Sequence, residues 1–377
     1  MVIVTQESGL LLDSSSTSRS NLKLNPEIPF FVSMGVVSCC SDEEIQLAGS
    51  KLRCGELVAF PTETVYGLGA NAYSDSAIKS IFTTKGRPSD NPLIVHVPSL
   101  EDARPFVSEI HPIVHKLAAA FWPGPLSIIM PVNEDSGLSK LVTAGLPSVA
   151  VRVPNHPVAL SLLRAAGVPI AAPSANKSGS PSPTTARHIL NDFGETVQVI
   201  DGGACFVGLE STVVKVVLSN ANVTIKILRP GSVTMKQLEE VTGLTVIPSY
   251  KSVDPVAAPE APGMKYRHYA PNADLVCFAS QGELNAHANV APIAVICFDD
   301  IQVPNGMIRI SLGKRGDVEE ASRRLFDSLR TCDELKVARA LIDVDFDKET
   351  GSGAALWNRI SKASLGKRET VQTSLSI

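Results

Sequence analysis

FPTETVYGLGANAYSDSAIKSIFTTKGRPSDNPLIVHV, residues 60–97, decides the fold of this chain. The segment is of the size of one βαβ unit. The apolar run Leu57 to Phe60 reads as a buried strand that Pro61 ends, by fixing φ and removing a donor. Ala77, Ile78, Ile81 and Phe82 fall at helical spacing, which predicts an amphipathic helix over Asp75 to Thr84. The apolar run Leu93 to Val97 is the next strand. In open α/β sheets ligands sit outside the carboxyl ends of strands, so Thr62, Glu63, Thr64 and Tyr66 are expected at a site. Gly67 and Gly69 would allow close backbone approach to a ligand.

The helix exit carries cations. Lys85, Gly86, Arg87 and Pro88 form a tight turn before Asn91 and Pro92. Arg offers a planar fork to phosphate oxygens and Lys a point charge, with a Gly between them to bend the backbone toward an anion. Taken alone, the same four residues also read as a solvated helix C-terminus favoured by the macrodipole.

The rest of the chain alternates helical and strand-like stretches: a helix over His111 to Phe121, a break at Trp122-Pro123-Gly124-Pro125, and strands at Leu126 to Met130 and Val149 to Val153. A helix over His156 to Ala166, a short strand Ile170 to Ala172 and a helix over Thr184 to Asp192 follow, then Gln198 to Ile200 and the strand pair Thr212 to Val217 and Thr224 to Leu228. Prolines gather between Pro248 and Pro271, marking a linker that ends in PGMKYRHYAP. Beyond it, strands at Leu275 to Phe278, Ile293 to Phe298 and Met307 to Leu312, with helices over Asp317 to Leu329 and Gly353 to Lys362, predict a second α/β domain. The boundaries are 1–44 for a disordered leader, 45–247 for the main domain, 248–272 for the linker and 273–377 for the smaller domain.

At 377 residues with a net charge of -4, the chain argues against a protein devoted to gripping a nucleic-acid backbone. Its seven cysteines are scattered and mostly set in apolar runs, which reads as reduced core thiols, and no CxxC pair or Cys/His metal spacing occurs. No run is long and apolar enough to span a bilayer, so no membrane partner is expected. The first fifty residues carry Glu7, Asp13 and Glu27 against few cations, which favours the cytoplasm over organellar import through the leader, the alternative.

Hydroxyls recur at strand ends. Pro173-Ser174-Ala175-Asn176 and the loop Ser178 to Thr185 could cradle an anion or be an ordinary loop with a helix cap. Arg152, inside VAVRVP, must pair with something buried or point into a crevice, and a salt bridge and a ligand carboxylate serve equally. His96 is by default a satisfied core histidine. Glu210-Ser211-Thr212 and Arg229-Pro230-Gly231 add hydroxyls and a cation at further strand ends.

PTETVYGL, KGRPSDNPL, VAVRVP, APSAN, SGSPSPT, GLESTVV, ILRPG and PGMKYRHYAP occur in an order that resembles the threonylcarbamoyl-adenylate synthases of the YrdC-like family, in their long two-domain form, over residues 45 to 377. The resemblance implies a YrdC-like α/β domain, a twisted mixed sheet with a central crevice, followed by a smaller Rossmann-like α/β domain. It implies a nucleotidyltransferase that makes L-threonylcarbamoyl-AMP and pyrophosphate from L-threonine, bicarbonate and ATP, for t6A37 modification of tRNAs reading codons that begin with A. Carried onto this sequence, it sets Thr64, His96, Arg152, Ala172 and Ser211 around threonine. It sets Arg87, Asn91, Ser148, Ser174, Ser182, Arg229 and Tyr269 around ATP, and Lys85 and Arg87 as the catalytic cations. Ser148 stands where the family often has Thr. Mg²⁺ would arrive on the phosphates, since no carboxylate cluster suggests a protein-built metal site. The product would pass to a tRNA threonylcarbamoyl transferase, with weak or no direct tRNA binding. PGMKYRHYAP would act as a lid bringing Tyr269 to the nucleotide.

Two other classes compete. An RNA-binding module is weakened by the acidic charge and the lack of aromatic platforms. A carbamoyl transferase of the hydrogenase-maturation kind should carry an acylphosphatase-like domain and paired CxxC motifs, which this chain lacks.

Overall fold

The computed structural model describes residues 36–38, 41–219, 222–251, 259–262, 268–287 and 293–364. Residues 34–377 form one compact unit. In chain order the strands of its larger sheet are β1 (Val36–Ser38), β2 (Val58–Phe60), β3 (Gly67–Asn71), β4 (Ile94–His96), β5 (Leu126–Pro131), β6 (Ser148–Arg152), β7 (Ile170–Ala171), β8 (Gln198–Asp201), β9 (Thr212–Ser219), β10 (Asn222–Arg229) and β11 (Val246–Pro248). Their spatial order is β1-β8-β2-β3-β7-β4-β6-β5-β9-β10-β11, with parallel and antiparallel neighbours mixed. A second sheet holds β12 (Asp274–Phe278), β13 (Ile293–Cys297), β14 (Ile308–Ser311) and β15 (Arg339–Asp343) in the order β12-β15-β13-β14, all parallel. The expected mixed α/β domain and smaller parallel α/β domain are therefore both present.

The opening segment departs from a plain βαβ unit. β2 turns back antiparallel onto β3, and the crossover through the Asp75–Lys85 helix joins β3 to β4 with the two-residue β7 wedged between them, antiparallel to both. Sequence reading missed β3 because GLGAN lacks large apolar residues. Its glycines are there for packing: a Cβ at Gly69 would come within 2.9 Å of the Phe60 ring and 3.0 Å of Ile170. Gly86, expected to bend the chain toward an anion, is instead the left-handed cap of that helix, at φ 62°, where a side chain would be strained. The loop between β2 and β3 folds around Thr62, whose Oγ1 lies 2.9 Å from Thr64 Oγ1, donates to Val65 O at 2.7 Å and accepts the backbone N–H of Thr64 and Val65. Tyr66 reaches outward from the same loop to Gly203 O at 2.7 Å and pins the Asp201-Gly202-Gly203 turn.

Helices cover both faces. Ser41 opens the Asp42–Arg53 helix with a capping box to Glu44, acids in the first turn and cations in the last, so its ends match the macrodipole. Ile45, Ala48 and Leu52 pack with Val158, Leu162 and Ala166 of the Pro157–Ala166 helix beneath β2. In the second domain the Val318–Glu334 and Gly351–Ala363 helices bury Leu325, Leu329, Leu356 and Ile360 against β12, β13 and β15. Four described cysteines, 205, 277, 297 and 332, are buried free thiols, and Cys54 is exposed. Among the described residues no helix is long and apolar enough to cross a membrane.

The two domains meet through charge. Arg330 on the Val318–Glu334 helix donates to Asp192 at 2.8 Å and to Pro181 O at 2.5 Å, and His188 Nε2 lies 3.0 Å from Asp327. Gly208 packs so closely on that helix that a Cβ would come within 2.4 Å of Arg323 Cα.

Candidate active site

β2, β4, β6, β7 and β10 end around one cavity lined by Thr62, Gly67, Arg87, His96, Arg152, Ala172, Ser174, Glu210, Arg229, His268 and Tyr269, among others. Thr62, His96, Arg152, Ala172, Ser174 and Arg229 come from the ends of these strands or the loops after them, as open α/β sheets place ligand sites, while Arg87 follows the Asp75–Lys85 helix, Glu210 precedes β9, and His268 and Tyr269 come from the linker. The free volume is about 60 Å³. A larger hollow of about 530 Å³ lies elsewhere, around Tyr73, Glu101 and Leu163, but no buried charged side chain lines it.

Seven residues that the resemblance sets around the substrates line the cavity, Arg87, His96, Arg152, Ala172, Ser174, Arg229 and Tyr269, as do Thr62, Tyr66 and Gly67, expected there from their place after the first strand. Thr64, Ser182 and Ser211 sit one hydrogen bond behind it. Thr64 is held to Thr62, Ser182 donates to Glu210 Oε1 at 2.5 Å, and Ser211 accepts from Arg229 at 3.0 Å while lying 2.8 Å from Ser127 Oγ. Asn91 is buried, with its Oδ1 unpartnered and its carbonyl 3.4 Å from the Arg87 guanidinium. Ser148 stands apart, at the opposite end of β6 from Arg152 and paired with Pro131.

Lys85 is buried behind the wall. Its ammonium donates to the carbonyls of Ser174 and Asn176, both at 2.5 Å, so the last residue of its helix clips the Pro173–Asn176 loop in place. Burial and then the neighbouring Arg87 push its pKa well below the ordinary lysine value. The same loop runs beside the opening segment, with Leu68 N–H on Pro173 O at 2.8 Å and Ala175 N–H on Tyr66 O at 2.8 Å.

Arg152 lies close to a buried carboxylate. Its Nη2 lies 2.7 Å from Glu63 Oε2, but the pair is off hydrogen-bonding alignment, and both Glu63 oxygens and Nη2 lack a hydrogen-bond partner. Nε donates weakly to Gly124 O at 3.3 Å. Beside it, His96 is buried with Nδ1 unpartnered, edge-on to Phe60. Burial and then Arg152 bring the His96 pKa down to about 3, so the ring is neutral at physiological pH. Burial likewise lowers Arg229 to about 10, which leaves it cationic.

The second domain backs the part of the wall that holds Glu210. Glu210 accepts from Ser182 and, at 2.7 Å, from Nε of Arg359, which is fully buried on the Gly351–Ala363 helix. Tyr269 adopts φ 67°, a left-handed conformation costly for a side chain of its size, and packs against His268 and Phe326 with the Arg359 guanidinium 5.6 Å from its ring centre. Gly263 to Arg267 of the expected lid lie outside the described residues, as do residues 1–35 of the leader. Sequence reading took only the hydroxyls of GLESTVV and passed over Glu210. Arg359 had a signal that went unread, a charge on the helix face that carries Leu356, Ile360 and Ala363.

Residues 50–231 match a family model described as "Telomere recombination", and residues 233–364 one described as "Threonylcarbamoyl-AMP synthase, C-terminal domain". A threonylcarbamoyl-AMP synthase from Bacillus subtilis is 42% identical over 335 residues, covering 87% of this chain and 94% of that protein. One from Schizosaccharomyces pombe is 38% identical over 349 residues, covering 81% and 84%. A crystal structure of Pyrococcus abyssi Sua5 complexed with L-threonine superposes with a TM-score of 0.79 at 38% identity, covering 88% of this chain and 98% of that one.

Proposed function

The chain belongs to the threonylcarbamoyl-AMP synthase family in its two-domain form, and we propose that it condenses L-threonine, bicarbonate and ATP into L-threonylcarbamoyl-AMP with release of pyrophosphate. The observation that carries this is one cavity lined both by Arg152, His96 and Ala172, which the resemblance sets around threonine, and by Arg87, Ser174, Arg229 and Tyr269, which it sets around ATP.

The reaction needs little acid–base machinery. Threonine's neutral amine captures carbon dioxide, or bicarbonate with loss of water, and gives up a proton to become a carbamate. A carbamate oxygen then attacks the α-phosphorus and the bond to the β-phosphate oxygen breaks, so pyrophosphate leaves. The site supplies position, positive charge and exclusion of water from a labile mixed anhydride. Arg152 takes the threonine carboxylate, because its fork is close to Glu63 without being locked to it. The neutral His96 ring and the backbone at Ala172 face the amino acid, and Thr64 and Ser211 shape that side from behind. Arg87 and Arg229 neutralise the phosphates, Ser174 and Ser182 offer hydroxyls, and Asn91 supports Arg87. Lys85 acts by fixing the loop that carries Ser174.

Mg²⁺ fits as a passenger on the triphosphate, neutralising its charge. Among the described residues no three His, Cys, Asp or Glu side chains group to hold a metal, and the carboxylate of Glu210 is already engaged. The 60 Å³ free in the cavity falls short of the roughly 300 Å³ at which small-ligand pockets begin. Pro262, His268 and Tyr269, which line the cavity, would withdraw for ATP to enter and return over it, which is the lid role. The product passes to a tRNA threonylcarbamoyl transferase for t6A37 formation without tight tRNA binding by this chain, and we place that work in the cytoplasm.

The test is to incubate the purified protein with ATP, bicarbonate and L-threonine and to assay pyrophosphate and the carbamoyl adenylate. Threonine-dependent release is expected. Its absence overturns the reading.

A further inference from the structure

Glu210 is a puzzle if the cavity takes ATP. It lines the wall beside Arg87 and Arg229, where a carboxylate would repel phosphate oxygens. It is also buried, at 6% exposure. A buried carboxylate needs counter-charge: Arg229 acts on it from nearby, and the cation hydrogen-bonded to it comes from the other domain.

Arg359 is saturated in a way that Arg152 is not. Nε donates to Glu210 Oε2 at 2.7 Å, Nη2 to the Glu210 carbonyl at 3.2 Å, and Nη1 to Pro230 O at 2.8 Å. Its side chain has no exposed surface. The helix that carries it is fixed by Leu356 and Ile360 in the core of the second domain, so the guanidinium arrives on a rigid support. Lys362, three residues on, lies in the same region and holds only part of its charge near neutral pH. Burial, then Arg359 and Arg229, lower its pKa to about 7. The second domain thus delivers positive charge to one wall of a cavity that the first domain otherwise builds.

We propose that Arg359 is a positioning residue for the nucleotide side of the site: it neutralises Glu210, so that the carboxylate can orient Ser182 without repelling the triphosphate. This deepens the ATP-binding reading above and rests on it. A mere tie between domains would have no reason to act on ATP alone.

The experiment is calorimetric titration of Mg-ATP and of L-threonine into the full chain, comparing the parent with Arg359→Met, Glu210→Gln and the double variant. Arg359→Met should weaken ATP binding about tenfold, roughly 1.4 kcal/mol, and leave threonine affinity within about twofold. Adding Glu210→Gln should restore ATP affinity, because the uncompensated charge is gone. Unchanged ATP binding in a folded Arg359→Met, equal loss for both ligands, or failure of the double variant to recover would each overturn the proposal. Should Arg359→Met not fold, Glu210→Gln alone decides. ATP binding at least as tight as the parent's supports the proposal, and a tenfold loss overturns it. A parent that binds no ATP sinks the functional reading and this inference together, whereas a parent that binds ATP with indifferent variants sinks only the inference.

Discussion

Two buried arginine–glutamate pairs face the same cavity and are built to opposite standards. Arg152 and Glu63 approach to 2.7 Å without hydrogen-bond alignment, leaving three polar atoms unpartnered. Arg359 and Glu210 are aligned, and Ser182 caps the second carboxylate oxygen. The difference teaches which charges await a ligand. A buried group left short of partners keeps the capacity to bind, while a saturated one holds its neighbours still.

The sharpest way to break that comparison is Arg152→Ala. Activity should fall by about 10²–10³-fold, the scale for removing one well-placed charge at a reaction site. Arg152→Lys should not rescue it, because a point charge lacks the fork. Pyrophosphate assays at saturating ATP and varied threonine check this, and a variant within tenfold of the parent would remove Arg152 from the threonine site. The saturated pair should answer in stability. Arg359→Ala leaves a buried carboxylate without its partner, at a cost of about 3–5 kcal/mol, which calorimetry should show as a drop in Tm larger than that of Arg152→Ala. Equal drops would erase the distinction between the pairs.

Tyr269→Ala comes next, with product formation down about tenfold and ATP hydrolysed without carbamoyl adenylate as water enters. A variant as productive as the parent would end the lid role. His96 gives a smaller effect, of defined sign. Its folded pKa is about 3, whereas an unfolded chain takes up that proton near pH 6.5. Stability from the neutral ring is therefore complete above about pH 6.5 and is lost progressively as pH falls from there toward 3. This single group costs on the order of 1 kcal/mol at pH 5.5 relative to pH 8. Urea titrations of parent and His96→Gln at those two pH values should show a shallower acid loss in the variant, and parallel losses would assign the effect to other groups. Ser148→Ala should change the KM for ATP by less than about twofold, because the residue sits at the far end of β6. A tenfold rise would return Ser148 to the nucleotide.

What the sequence disclosed follows from the range of the forces involved. VAVRVP, APSAN and KGRP lie at strand ends and loops, where local chemistry announces a site, and their residues do converge on one cavity. The alternation of helix and strand was legible wherever apolar spacing was regular. GLGAN concealed β3, since glycines chosen to admit Phe60 leave no apolar pattern. β7 spans only two residues and is defined by its neighbours. Glu63 and Glu210 sat inside motifs already singled out, but their importance depends on arginines 89 and 149 residues away, and no local periodicity encodes a pairing at that distance. The chain could disclose only that Arg359 shares a helix face with apolar residues, an anomaly without an address.

The same separation sets an order of events during synthesis. Glu210 precedes its hydrogen-bonded counter-ion by 149 residues, so at about 5–20 residues per second a ribosome leaves the carboxylate without Arg359 for roughly 7 to 30 seconds. The first domain emerges with an unfinished wall, and the catalyst is complete only once the helix bearing Arg359 has been made and has docked.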